Sequence, residues 1–91
     1  MISMVKVVEV RPLDGFRLHV RFSDGWEGVR ECADIVAETG SMVEPLRDQS
    51  FFRRVFIEYG ALAWPNGYDI DPIALHQEMQ QAGSLTRSTA A

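Results

Sequence analysis

Between Asp14-Gly15 and Asp24-Gly25, Phe16, Leu18, Val20 and Phe22 alternate without a break with Arg17, His19, Arg21 and Ser23. A period of two puts the apolar set on one face of an extended chain and the polar set on the other, so this stretch reads as a strand with one buried face. Each flanking Asp-Gly pair is a hairpin signal, because both central positions of a type I′ turn take positive φ. The first half of the chain is therefore expected to be an antiparallel meander. Its first strand, about Val5 to Arg11, breaks phase at Val7-Val8, where a bulge or a segment covered on both faces is expected. Its third runs from Trp26 to about Glu31. A two-residue loop at Asp24-Gly25 sets Val20 opposite Val29 on one face and leaves Glu27 facing Phe22, whereas a three-residue loop turns Val29 outward. The two-residue loop is the expectation, and it places Trp26 beside Ser23.

The second half is organised by Trp64-Pro65-Asn66-Gly67-Tyr68-Asp69-Ile70-Asp71-Pro72. Pro65 fixes the φ that the second position of a β-turn needs, and Asn66 and Gly67 tolerate the conformations of the later turn positions. Asp71 before Pro72 reads as a helix cap and its first residue, so the segment ends a strand and starts a helix. That helix runs from Pro72 to about Gln81, with Leu75 and Met79 in register to dock on the sheet. Ala82-Gly83 ends it, and the small polar residues up to Ala91 read as a frayed or disordered tail. Upstream, Asp34 to Gly40 reads as a short helix capped by Asp34, with Ile35 and Val36 facing inward. Pro45 disrupts the stretch from Ser41 to Asp48, and Ser50 caps a turn leading into Phe51-Phe52. A second hairpin joins Arg54–Tyr59 to Ala61–Trp64 through Gly60.

The 91 residues carry a formal charge of −4 and a pI near 5.0. Non-specific nucleic-acid affinity comes mainly from Lys and Arg contacts to phosphates, so this balance argues against a nucleic-acid partner. The single Cys32 cannot form an internal disulfide, which points to a reducing cytoplasm. The amino terminus lacks a basic segment followed by a long apolar one, and no apolar run approaches the roughly 20 residues of a membrane span. The expected product is a single α+β domain over residues 1–81. It has a small antiparallel sheet of about five strands in hairpins, with two or three short helices on one face.

Three blocks occur in order: Phe22-Ser23-Asp24-Gly25; Leu46-Arg47-Asp48 followed by Phe51-Phe52 and Val55; and Trp64-Pro65-Asn66-Gly67 with Asp69, Asp71 and Pro72. Together they resemble the bacterial domain of unknown function 2442, over roughly Val5 to Gln81. The resemblance implies a small α+β domain with no established activity and no catalytic residues to carry over. It also implies a role as one half of a two-gene cassette, toxin-antitoxin-like or otherwise paired. The helix-turn-helix domain that some members carry is missing from this sequence.

Candidate sites each have a bland competitor. Asp69 and Asp71 form a carboxylate pair that hard cations favour, but the turn accounts for Asp69 and capping for Asp71. His19 and His76 lack zinc-ligand spacing with Cys32; His19 is expected on the exposed strand face and His76 on the solvent side of the last helix. Cys32 near a strand end reads as a small buried hydrophobe before it reads as a nucleophile. Arg17 and Arg21, with Arg30 and Arg11 on the neighbouring strands, flank His19 and could contact RNA or an acidic protein surface. A solvated strand face carries such residues as well. Trp64 and Tyr68 beside a rigid turn suit either an interface anchor or a plug over the sheet end. Trp26, next to a hairpin turn, is the stronger candidate for an exposed ring.

The sequence therefore supports a protein-protein interaction module, antitoxin-like or accessory to a two-protein system, whose partner is another protein or a second copy. The expected contact residues are Trp26, Arg17, His19, Arg21, Trp64 and Tyr68. No cofactor, metal or catalytic residue is expected. Two other readings are a metal-dependent enzyme around Asp69, Asp71 and His76, and RNA binding through the Arg17 and Arg21 face.

Overall fold

The alternating segment lies inside a four-stranded antiparallel sheet. In this computed structural model, which describes residues 5–87, β1 (Val7–Leu13), β2 (Arg17–Phe22) and β3 (Trp26–Glu31) form the meander. A further strand, β7 (Leu85–Arg87), adds to β3 to give the order β1-β2-β3-β7. Leu18, Val20 and Phe22 are buried, and the intervening Arg17, His19 and Arg21 are half covered, as the period of two requires. The phase break is a bulge: Val7 pairs with Phe22 and Glu9 with Arg21, which leaves Val8 as the extra residue.

The loops are longer than expected. Arg21 pairs with Glu27 and His19 with Val29, so the β2–β3 connection is Ser23-Asp24-Gly25. The Gly25 N–H donates to the Phe22 carbonyl at 3.1 Å, and Gly25 closes the loop at φ +90°. A turn followed by a left-handed glycine is the common three-residue hairpin, and here the Asp24 side chain supports it by accepting from the Trp26 N–H at 3.2 Å. The two-residue register is thereby corrected: Val29 lies on the outer face with His19, and Glu27 stands across from Arg21. The β1–β2 connection also has three residues, Asp14-Gly15-Phe16, with Leu13 opposite Arg17. Phe16 takes φ +59°, and its ring packs edge-on against Phe52 at 5.3 Å. That contact offsets the cost of a left-handed aromatic residue.

The second sheet has the order β4-β5-β6, built from β4 (Phe56–Glu58), β5 (Ala61–Ala63) and β6 (Asp69–Ile70). The expected hairpin around Gly60 is present, with Glu58 opposite Ala61. Pro65-Asn66-Gly67 makes a third three-residue loop: the Gly67 N–H donates to Trp64 and the Trp64 N–H to Tyr68, each at 2.9 Å. The architecture is α+β, as expected, but the described residues form seven strands in two sheets instead of about five. The two additional strands, β6 and β7, are too short to show a period. β7 also corrects the expectation of an aperiodic tail, at least for Leu85–Arg87; residues 88–91 lie outside the described range.

Helices fill the remaining connections. α1 (Ala33–Val36) follows β3, a short 3₁₀ turn spans Glu44–Arg47, and α2 (Gln49–Phe52) precedes β4. Capping of the two short α-helices differs from expectation by two residues each. Cys32 occupies the cap position of α1 with no side-chain bond, and Asp34, inside the helix, pairs with Arg30. Asp48 caps α2 and accepts from both the N–H and the hydroxyl of Ser50, at 3.0 and 2.8 Å. Hydrogen bonds from Ser50 hold the Asp48 carboxyl below its ordinary pKa. The last helix, α3 (Pro72–Gln81), is as expected: Asp71 caps it, Pro72 opens it, and Leu75 and Met79 are its buried residues. Gly83 and Ser84 donate back to Gln80 and Met79, a Schellman closure that turns the chain into β7.

The inner face of the first sheet, Leu62 of the second, Trp64 just after β5, and Ile35, Phe52, Leu75 and Met79 from the helices form one buried cluster. None of the helices in the described residues is long and apolar enough to cross a membrane. The Asp71 cap bond to Ala74 N is 3.3 Å long. We expect Asp71→Ala to lower stability by about 0.5–1 kcal/mol, the lower part of the range for lost caps, measured by urea unfolding. A change below about 0.2 kcal/mol would show that Pro72 alone fixes the start of the helix.

Candidate functional site

The outer face of the first sheet is not a basic cluster. Arg21 bonds Glu9 at 2.9 Å and stands opposite Glu27; His19 lies 3.0 Å from Glu27; Arg17 stands opposite Glu31. The three β2 side chains thus have carboxylates on the adjoining strands, and Arg17 Nε donates to the Asp14 carbonyl at 3.0 Å. The period-two reading identified the basic row correctly, but it could not show the acidic rows that the register places beside it. Such a mixed face favours cross-strand pairing over phosphate binding.

Trp64 is a core residue, 1% exposed. Its indole Nε1 donates to the Phe52 carbonyl at 2.9 Å, and its ring lies between Phe52 and Tyr68 with centroids 5.9 and 5.7 Å away. Tyr68 is half-buried against it, and burial raises the pKa of its phenol. Of the two roles weighed for this pair, the burial of Trp64 fits the plug.

Trp26 is also corrected. Alternation places it on the inner face of β3, half-buried, with the Arg87 guanidinium over its ring at 5.5 Å. His76 turns inward from α3 rather than to solvent: Nε2 meets Asp24 Oδ2 at 2.9 Å, and the imidazole packs edge-on against Phe22 at 4.8 Å. Asp24 therefore positions two rings at once, the indole through the backbone of Trp26 and the imidazole directly. Between them, with Gln80 and Leu85, lies a pocket of about 130 Å³.

The metal and nucleophile readings find their residues otherwise engaged. Asp71 caps α3, His76 is tied to Asp24, and among the described residues no three His, Cys, Asp or Glu side chains group to hold a metal ion. Cys32 is buried, and desolvation pushes its thiol up to about 12, so at neutral pH it is a protonated hydrophobe. A more open cleft of about 450 Å³ lies at the carboxyl end of α3, lined by Arg30, Asp34 and Glu78 among others. Arg30 holds Asp34 through two bonds, at 2.9 and 3.1 Å, and these keep the Asp34 carboxyl below its ordinary pKa.

One residue that the sequence reading passed over stands out. The β4–β5 hairpin closes on two residues, Tyr59 at φ +52° and Gly60 at φ +80°, the pattern of a type I′ turn. Gly60 is required there: a Cβ would lie 2.8 Å from the Cβ of Lys6, whose chain crosses the turn, and the Gly60 carbonyl accepts from the Val7 N–H at 2.8 Å. Tyr59 has no such reason. It is 96% exposed, and Val8 (48%), Phe56 (40%) and Ile57 are also open to solvent on β1 and β4. The signal was legible in principle, because Tyr-Gly occupies a two-residue loop where Asn-Gly or Asp-Gly is the favoured pair.

The hairpin and the pocket share one end of the molecule. Lys6, packed over Gly60, donates its N–H to Ser23 Oγ at 3.0 Å and accepts from the Ser23 N–H at 2.7 Å; Asp24 comes next. From Val7 to Gln80 (residues 7–80), the chain matches the family described as "Protein of unknown function (DUF2442)", and it belongs to that family. No curated protein and no solved structure matches it.

Proposed function

We propose that this member of the family is a protein-binding module, antitoxin-like or accessory to a two-protein system, whose Tyr59 docks on another protein or on a second copy of the chain. The observation that carries this reading is a large aromatic side chain 96% exposed at a positive φ. Backbone strain of this kind costs of order 1–3 kcal/mol, and the position favours Asn, Asp or Gly. Covering an aromatic of roughly 150–250 Å² contributes about 4–6 kcal/mol at 25 cal/mol/Å². Burial against a partner therefore outweighs the strain, whereas solvent returns nothing for it. Tyr is also among the residues enriched at binding hot spots.

The test separates fold from function in one variant. Tyr59→Asn suits the turn, so the isolated protein is expected to gain about 0.5–1 kcal/mol in urea unfolding. A tagged full-length copy, cross-linked in its source organism and analysed by quantitative mass spectrometry, is expected to retain a stoichiometric protein partner. Tyr59→Asn should lose that partner and Arg21→Ala should keep it. Full retention by Tyr59→Asn would overturn the reading. So would retention of RNA alone, released by salt and lost with Arg21→Ala.

A further inference from the structure

The chain carries both a protruding phenol and a pocket of matching size, and both lie at the same end. The pocket bounded by Trp26, His76, Gln80 and Leu85 measures about 130 Å³. An engineered protein cavity of about 150 Å³ accepts benzene, so this volume suits one aromatic ring. Its walls suit a phenol in particular. Trp26 and Leu85 are apolar, while the Gln80 amide and the His76 imidazole, held by Asp24 at 2.9 Å, supply polar atoms for a hydroxyl.

Tyr59 cannot be the intramolecular occupant, since it is 96% exposed. A short run of contacts, from Gly60 through Lys6 and Ser23 to Asp24 and His76, nonetheless links the hairpin to the pocket. A two-fold dimer needs a patch that is complementary to itself, and a knob and a pocket joined by so short a run of contacts supply its two halves. Charge agrees: the carboxylate of Glu58 precedes the knob, and the guanidinium of Arg87 stands over Trp26 at the pocket. Docking would bring Glu58 of one copy toward Arg87 of the other.

We propose that the partner accommodated at Tyr59 is a second copy of this chain, each protomer inserting Tyr59 into the Trp26–His76–Gln80–Leu85 pocket of the other. The proposal rests on the reading of Tyr59 as a docking residue and names its occupant. Both contacts are small, so the dimer is a weak one that forms as concentration rises.

Sedimentation equilibrium of the full chain from about 10 µM to about 1 mM, the range for a small interface, should show reversible dimerisation. Tyr59→Asn removes the knob and Gln80→Trp fills the pocket from an exposed helix position; each should weaken the dimer about tenfold or more. Leu85→Trp is a second pocket-filling variant, and far-UV circular dichroism confirms that each variant is folded. The decisive step is mixing: Tyr59→Asn still has a pocket and Gln80→Trp still has a knob, so the mixture should form a heterodimer that neither variant forms alone. A wild-type chain that stays monomeric throughout would overturn the self-docking proposal, as would a dimer indifferent to Gln80→Trp and Leu85→Trp or a mixture that fails to associate. If the chain is monomeric but Tyr59→Asn still loses a cellular partner, the docking role of Tyr59 stands and only its occupant was wrong.

Discussion

Gly28→Ala should destabilise the protein by about 3 kcal/mol or more and detach β7 from the first sheet, although it adds a single methyl group. A Cβ at residue 28 would overlap the Ser84 carbonyl oxygen and lie 2.9 Å from the Ser84 carbonyl carbon. Overpacking a core usually costs about 1–3 kcal/mol because side chains shift to new rotamers. Here the obstacle is backbone, and it is fixed on both sides. Ser84 is the last residue of the Schellman closure, and Leu85 pairs directly with Gly28. The sheet can relieve the clash only by giving up that pairing. Urea unfolding measures the loss, and amide exchange at Leu85, Thr86 and Arg87 reports the detachment. A loss under about 1 kcal/mol with those amides still protected would mean that the chain after α3 moves freely enough to accept the methyl, and that the close approach is incidental.

The same contact explains why part of this fold was legible in the sequence and part was not. The stretch from Trp64 to Pro72 could be read because each residue has a local reason to be there: Pro65 for its φ, Gly67 for a left-handed position, Asp71 for the cap and Pro72 for the first turn. Leu75 and Met79 could be read because four residues make a helical turn. Gly28 looks like a mere weak point in a strand, because the atom that demands a glycine belongs to Ser84, brought there by the whole of α3. β6 and β7 fail for another reason, since two or three residues cannot display a period.

Site residues divide along the same line. Trp26, beside a hairpin turn, looks exposed until β7 brings Arg87 over its ring and α3 brings His76 beside it. The Arg17, His19 and Arg21 row was visible, but its neutralisation depends on a one-residue choice of loop length that sets Glu27 and Glu31 across from it. Tyr59 depends on nothing distant. It is exposed because a two-residue turn projects its first residue, and the mismatch between that position and a tyrosine lies in the sequence itself.

Trp64 offers the complementary test, because the anchor and core roles weighed for it make opposite predictions. A core Trp→Ala change typically costs about 3–5 kcal/mol, and at 1% exposure Trp64 belongs near the top of that range. The change would open a cavity beside Phe52 and leave Tyr68 without the ring it leans on. Trp64→Phe keeps most of the apolar volume and removes the indole N–H. The Phe52 carbonyl would then retain only the longer bond from the Val55 N–H, at 3.3 Å, so it would not be fully orphaned. The loss should accordingly stay near 1 kcal/mol for the hydrogen bond, plus a similar amount for imperfect filling. Urea unfolding of the two variants should therefore differ by about 2 kcal/mol or more, with Trp64→Ala the weaker. If Trp64→Ala unfolded within about 1 kcal/mol of wild type while abolishing partner binding, the indole would have to be an interface anchor after all. Equal losses in the two variants would point to the hydrogen bond to Phe52, not the packed ring, as what joins the second sheet to α2.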